Sequence, residues 1–514
     1  MSDQPAHEPL GTNDEQPPRA TGPQDPTGRG RGPSPSRKQP QRGQFIRRAR
    51  DVVRDLDAPT WGMDLRAYSD GVEQARSRSV IDLAMRIGDS TLSTGASSAD
   101  VTAAIIAVTR AYGLRSVHVD VTFTSIAVTH HRGPFDDPVT MVRIVVARTP
   151  DYQRLAETHR LINDIARKEL PLDDARAQFE EIMARPRLYR RSIVTLGFVV
   201  MAAGVCALLG GSPLEILLAS VIVAIVDRAS LWTARRRLPA FFGQIVGGAI
   251  PTAFAMVLVA LRSYWEPMVD GFRPSILVAT GIVVLLAGLA VVGAAQDAID
   301  GYYVTASGRT FEVVILTLGI LVGVLAVITV SFRLGVPAYL IPPATLASSL
   351  LVQTGAVIAT AAGFALSGYS GGRTILVSCL LAVLGWLVYV LATELGFQSI
   401  VGTGFACVVV GFLAQPVAAR LRVPALAITT SGIVAFLPGG MVYRGLYYLV
   451  EPGPAATAGT SGPSLLWGAA AMGLTIAGGI SLGAYFGRFT ARTHRAGARA
   501  KSKALARSTA NSRE

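Results

Sequence analysis

Residues 311–331 read FEVVILTLGILVGVLAVITVS, with one charge, Glu312, at the entrance and then an unbroken apolar run. Its length matches the roughly 20 residues that carry a helix across ~30 Å of hydrocarbon. Beyond Arg190 similar stretches recur at about 192–210, 214–233, 240–261, 275–296, 339–367, 374–393, 398–417, 423–448 and 464–486, giving ten spans with the first. Half of the 514 residues are hydrophobic and only 16% are charged, a balance that no single water-soluble core could bury. The reading is a polytopic α-helical membrane protein of about ten transmembrane helices, with an N-terminal cytoplasmic α/β domain and disordered tails. The sixth and ninth spans are long and carry Pro342, Pro343 and Pro438, so they are expected to be broken or tilted.

Toward the N-terminus the pattern becomes that of a water-soluble unit. Val80, Leu83, Ala84 and Ile87 recur at helical spacing, and a second helix over Ala99–Tyr112 stops at Gly113. The period then changes to two: Val117, Val119, Val121 and Phe123 alternate with His118, Asp120, Thr122 and Thr124, and Val139–Ala147 supplies a second strand. Asp151 caps a helix carrying Tyr152, Leu155, Ile162 and Ile165 on one face, and Leu172–Met183 forms another. The expected order is helix, helix, strand, strand, helix, helix. Met1–Arg42, rich in Pro, Gly and Arg, reads as a disordered tail without the apolar core of a signal peptide, and Phe45–Asp70 as a solvated linker or, alternatively, a connector with a helix lying on anionic lipid. The domain plan is therefore 1–70 tail and linker, 71–188 α/β domain, 189–335 and 336–490 the two membrane halves, and 491–514 a basic disordered tail.

The formal net charge of +13 comes mainly from arginines in the tails and short loops, and it reads as membrane topology. Arg235, Arg236, Arg237, Arg309, Arg373, Arg420 and Arg422 fall on one side, against Arg262, Arg273, Arg333 and Arg444 on the other, which places both termini in the cytoplasm. No basic and aromatic face recurs, so nucleic acid is not an expected partner. Cys206, Cys379 and Cys407 sit singly in apolar segments and read as small buried hydrophobes. Ala234-Arg-Arg-Arg-Leu-Pro-Ala240 echoes Ala419-Arg-Leu-Arg-Val-Pro-Ala425, which suggests a duplication. Six helices between the echoing loops would preserve orientation, whereas two five-helix halves would be inverted, and the sequence leaves both relations open.

Two stretches, Leu92-Ser-Thr-Gly-Ala-Ser-Ser-Ala-Asp-Val101 and Gln296-Asp-Ala-Ile-Asp-Gly-Tyr-Tyr-Val-Thr-Ala-Ser-Gly-Arg-Thr-Phe-Glu312, together with Tyr112-Gly-Leu114 and the strand from Val117, resemble the threonine/serine exporter family. The resemblance covers about Val72–Gly487. It implies a soluble N-terminal domain followed by ten helices in the cell membrane, and export of small amino acids driven by the proton motive force. The family occurs as one chain in actinobacteria and as two polypeptides elsewhere, and Ala435-Phe-Leu-Pro-Gly-Gly440 resembles the small subunit of the split form.

The residues supply candidates for that chemistry. Asp297 and Asp300 share a helix face at the end of the fourth span, while Arg309 and Glu312 share one at the start of the fifth. A carboxylate at the edge of hydrocarbon is drawn toward its neutral form, as a proton-coupled carrier requires; the same residues also read as a brace between two helices. Asp227 lies deeper in its span and needs a partner from another helix. Gly247, Gly248 and Pro251, and Pro438, Gly439 and Gly440, are helix breakers that either free backbone groups for a zwitterionic substrate or only kink their helices. Gln244, Gln353 and Thr430 are polar side chains that either face the same path or serve helix packing. The expected partners are a small polar amino acid, protons and the bilayer, with homo-oligomerisation left open and no cofactor. Histidine spacing suggests no metal site, no Walker A loop is present, and no nucleophile and base pair suggests an enzyme. A dicarboxylate such as succinate is the alternative substrate, and a membrane-anchored enzyme the alternative class.

Overall fold

The computed structural model describes residues 65–132, 137–145, 150–261, 272–285, 288–336, 349–421, 423–450 and 461–511. The expected tail Met1–Arg42 and the prolines Pro342 and Pro343 lie outside the described residues. The chain divides into two units, Met1–Tyr68 and Ser69–Glu514, and the second contains the architecture that follows except Leu65–Tyr68 at the start of the first helix.

The N-terminal domain opens with α1 (Leu65–Ser93), which starts inside the expected linker, and α2 (Ser98–Ala111). An antiparallel sheet follows, of β1 (Val117–Val121), β2 (Ser125–His130) and β3 (Val139–Ile144) in that order, then α3 (Tyr152–Ala166) and α4 (Leu172–Ala184). The expected strand over Val117–Thr124 ends at Val121, and β2, which was not expected, follows directly from Ser125. Thr122 N–H donates to the Ser125 carbonyl at 2.9 Å and their hydroxyls meet at 2.7 Å, which closes a tight turn without Gly, Pro or Asn. Ser97 and Asp151 cap α2 and α3 with their side-chain oxygens. Leu83, Ile87, Ile105, Val108, Ile126 and Val128 are fully buried in one core shared by helices and sheet.

The membrane part comprises α5 (Arg191–Leu208), α6 (Pro213–Arg235), α7 (Ala240–Ala260), α8 (Pro274–Leu285), α9 (Gly288–Ile299) and α10 (Tyr303–Arg333). A second set follows: α11 (Leu350–Ser367), α12 (Gly372–Glu394), α13 (Ser399–Leu421), α14 (Ala425–Ile433), α15 (Gly439–Val450) and α16 (Gly462–Asn511). Seven of these are long and apolar enough to cross a membrane: α5, α7, α10, α11, α12, α13 and the Gly462–Phe489 part of α16. Two bent pairs, α8 with α9 at 45° and α14 with α15 at 44°, pass the same test together, each a broken span or a re-entrant loop, and raise the number to nine if each is one span. Up to nine crossings of this kind among the described residues stand where the sequence suggests ten. The other, 214–233, is α6, a continuous 23-residue helix that carries Glu215, Asp227 and Arg228. The backbone of α16 also stays helical through Asn511, where the sequence suggests a disordered tail.

The two sets pack alike. In each, the third and fifth members lie side by side and parallel over glycines: Gly319 and Gly323 of α10 meet Phe241 and Ile245 of α7, while Gly479, Gly483 and Gly487 of α16 meet Gly404, Val408 and Phe412 of α13. Glycines four apart let the backbones approach, the usual means of joining helices where lipid removes the hydrophobic drive. The fourth member is the bent pair in both sets. The first members, α5 and α11, cross antiparallel, with Gly197 against Gly363 and Ser367, and Gly204 against Ala356 and Thr360. With each bent pair counted as one member, five members per set and antiparallel first members match the pattern of an inverted repeat. The echo between Ala234–Ala240 and Ala419–Ala425 is not part of it, since the former joins the second and third members and the latter the third and fourth.

Candidate functional site

The two stretches that carry the family resemblance meet in space. Asp297 sits in the last turn of α9, fully buried, and Gly301 at φ 89° turns the chain into α10, two turns along which lies Arg309, 5% exposed. Arg309 Nη1 and Asp297 Oδ2 form an ion pair at 3.0 Å. The other carboxylate oxygen of Asp297 accepts the N–H of Ser98 at 2.9 Å, across 199 residues of chain. Ser98 is the first residue of α2, so a membrane-helix carboxylate joins Ser97 in capping a helix of the N-terminal domain, where the helix dipole favours an anion. Arg309 Nη2 donates to the Ala96 carbonyl at 3.0 Å, Tyr302 Oη to Thr102 Oγ1 at 3.1 Å, and Thr305 Oγ1 to the Val121 carbonyl at 2.9 Å. Gly293 leaves room for the guanidinium of Arg309, and Gly308 for the ring of Phe123.

Around this junction stand titratable groups that the sequence reading did not single out. Asp100, in the first turn of α2, and Asp300 both reach solvent from crowded surroundings, and desolvation raises the carboxyl pKa of each. Each also feels the carboxylate of Asp297, and Arg488 at the end of the α16 span partly offsets the shift. His159 of α3 is drawn below its ordinary value of 6.5 by burial, an effect that Asp100 reduces. Glu312 is half-buried one turn beyond Arg309.

The N-terminal domain also docks on the second membrane half. Tyr152 N–H donates to the Gly368 carbonyl at 2.9 Å, and a Cβ on Gly368 would come within 2.7 Å of the Tyr152 ring. Thr430 of α14, expected along the substrate path, instead pairs with the Tyr152 hydroxyl at 3.1 Å. Desolvation pushes that phenol up to about 12. One domain is thereby tied to the α9–α10 turn of the first half and to the α11–α12 turn and α14 of the second.

Asp227 finds its partners on α5: it pairs with Arg191 and accepts from Thr195 Oγ1 at 2.8 Å, while Arg228 donates to the same hydroxyl at 2.6 Å. These contacts brace the start of α5 against the end of α6. Near the other end of the same two helices Glu215, fully buried, accepts the N–H groups of Ser212 at 2.7 Å and Arg273 at 2.6 Å. Sequence reasoning passed over Glu215, although Ser212-Pro-Leu-Glu215 has the spacing of a capping box.

The expected helix breakers divide into two kinds. Helix α7 runs unbroken through Pro251, which corrects the expected interruption there: Gly281 of α8 has no side chain to collide with the proline ring, and Thr252 Oγ1 donates to the Gly248 carbonyl at 2.8 Å. Gly247 and Gly248 serve close approach, to Leu285 and Ile320 respectively. Pro438 does mark a break, between the turn Val434–Phe436 and α15. Just beyond it, Gly439 packs against Val283 of α8, with 3.0 Å from a Cβ position to Cγ2. Both groups of breakers therefore meet one short segment, Gly281–Leu285, immediately before the bend in the α8–α9 span. Gln353 accepts from Trp386 Nε1 at 3.1 Å, and Gln244 Oε1 has no hydrogen-bond partner among the described residues.

Two family descriptions match along the chain, "Putative threonine/serine exporter" over residues 82–331 and "Threonine/Serine exporter, ThrE" over residues 353–489. A Mycobacterium tuberculosis protein named "Probable threonine/serine exporter" is 36% identical over 425 residues, which cover 81% of this chain and 78% of that one. A Corynebacterium glutamicum protein named "Threonine/serine exporter" is 34% identical over 382 residues, covering 74% and 77%. No solved structure matches.

Proposed function

Because the chain belongs to the threonine/serine exporter family, a family of multi-pass membrane transporters, we propose that it is a secondary active exporter of threonine and serine driven by the proton motive force. The observation that carries this reading is the meeting of the two bent spans at Val283 and Gly439. Interrupted helices leave backbone N–H and carbonyl groups free inside a membrane, enough to hold a zwitterion without a dense charge cluster. The loop arginines favour a cell membrane with both termini and the N-terminal domain in the cytoplasm.

In this scheme the N-terminal domain is a cytoplasmic strap across both halves. Rocking of one half against the other requires at least one of its anchorages to yield or move with it. Asp297 is the proton-coupling group, and Arg309 and Glu312 hold its surroundings. A protonated Asp297 gives up its ion pair with Arg309 and the charge assistance of its bond to Ser98, so proton binding loosens the strap on the first half. Radiolabelled threonine efflux from proteoliposomes, with and without an uncoupler and with succinate run in parallel, tests the assignment. The expected result is uncoupler-sensitive threonine efflux; succinate efflux alone would replace the substrate. Asp297→Asn is expected to abolish net efflux while leaving some threonine exchange, which needs no net proton movement. Efflux by this variant at the wild-type rate, with its uncoupler sensitivity intact, would move coupling to another group.

A further inference from the structure

Tyr443 lies just over one turn past Pro438 on α15 and is 3% exposed. It belongs to a buried cluster with Ala255 and Met256 of α7, Val278 and Ile282 of α8, and Ile320 of α10. Its hydroxyl has no hydrogen-bond partner among the described residues. An unpaired buried hydroxyl costs about 1–3 kcal/mol. Phenylalanine would fill the same space without that cost, so the stability of this conformation gives no reason for the oxygen to be there. The location gives one. Tyr443 is on the same short helix as Gly439, which touches α8 beside its bend, and no described atom lies within 4 Å of a Cβ position on Gly440.

We propose that the Tyr443 hydroxyl recognises the β-hydroxyl of the transported amino acid, and so selects hydroxy amino acids over their aliphatic isosteres. The inference rests on the export reading above and deepens it. The cluster residues around Tyr443 carry no charge, with the Tyr447 ring packed against them, which suits the side chain of the substrate and not its ammonium or carboxylate. When the bent spans part, the phenol and the substrate hydroxyl form one hydrogen bond, each able to donate or accept. Valine has the shape of threonine but would leave the phenol unpaired, and sites that pair with a substrate hydroxyl reject such analogues far more strongly than apolar pockets do.

The test is counterflow of labelled threonine in proteoliposomes of the full chain, competed by unlabelled threonine, serine and valine, together with the thermal stability of each variant in detergent. Wild type is expected to respond to valine at least about tenfold more weakly than to threonine. Tyr443→Phe should bring the two within about threefold while its melting temperature stays level or rises, because the orphaned hydroxyl is gone. Wild-type discrimination retained in Tyr443→Phe would overturn the inference, as would intact wild-type counterflow that does not distinguish threonine from valine. A marked fall in melting temperature would show that the hydroxyl serves the fold, and would overturn it too. Absence of threonine counterflow in wild type would sink the export reading along with the inference, a result separable from the others.

Discussion

At Asp297 the polar groups are joined by a guanidinium, a helix N-terminus and a backbone carbonyl drawn from two segments some 200 residues apart; Gly439 packs against the aliphatic Val283, and the nearby Tyr443 oxygen has no hydrogen-bond partner among the described residues. The first region is held together by directed bonds that fail together once one member is lost. The second is held by shape, with glycines admitting close neighbours, and can separate and close again without stranding a charge. A transporter needs both: a latch with discrete closed and open states, and a path whose walls part at low cost.

Breaking the latch should give the largest effect. Arg309→Ala leaves the fully buried Asp297 without its counter-charge and the Ala96 carbonyl without its donor, a loss of about 3–5 kcal/mol by the usual cost of stranding a buried ion. Lower yield of folded protein and a reduced melting temperature in detergent are expected. An unchanged melting temperature would mean that the junction opens freely at rest.

The shape-held region is probed by a matched pair of glycines. Gly323→Ala places a methyl against the Ile245 carbonyl and should destabilise by about 1–3 kcal/mol. Gly355→Ala meets no atom within 4 Å and should be neutral or slightly stabilising, since alanine favours a helix over glycine. Equal melting temperatures for the two variants would show that α7 and α10 pack more loosely than their glycines suggest.

The smallest effect is a pH response of the junction. His159 is held below its ordinary 6.5, so the unfolded chain takes up a proton before the folded one as pH falls. Stability attributable to this group is complete above about pH 6.5 and is lost below it, down to the lower folded value. His159→Gln should flatten that part of the melting-temperature profile from about pH 6.5 downward. A wild-type profile already flat over this range would remove His159 from the junction's electrostatics.

Much of the fold was legible because its determinants are local. Apolar length marked the spans, and Asp151 and Gly113 marked helix ends through capping and turn chemistry. Strand β2 was not, because the Thr122–Ser125 turn is closed by hydroxyls and not by the usual breakers. Asp297 and Arg309 stood out in sequence, yet their partners Ser98 and Ala96 lie some 200 residues away and carry no mark of the contact. Pro251 suggested an interruption that the small neighbour Gly281 makes unnecessary, which a one-dimensional pattern cannot convey. Tyr443 looks like any interfacial aromatic until its surroundings prove apolar.

Helix α16 is a single 50-residue helix, and only its part up to Phe489 has the hydropathy of a span. At 1.5 Å per residue the remainder is a rod about 30 Å long, clamped at one end where α16 packs on α13. Such a rod is a lever arm. A tilt of about 10° at the clamp would sweep its far end, near Asn511, through about 5 Å, so a motion of the second half too small to resolve within the bilayer would be magnified into a displacement measurable outside it.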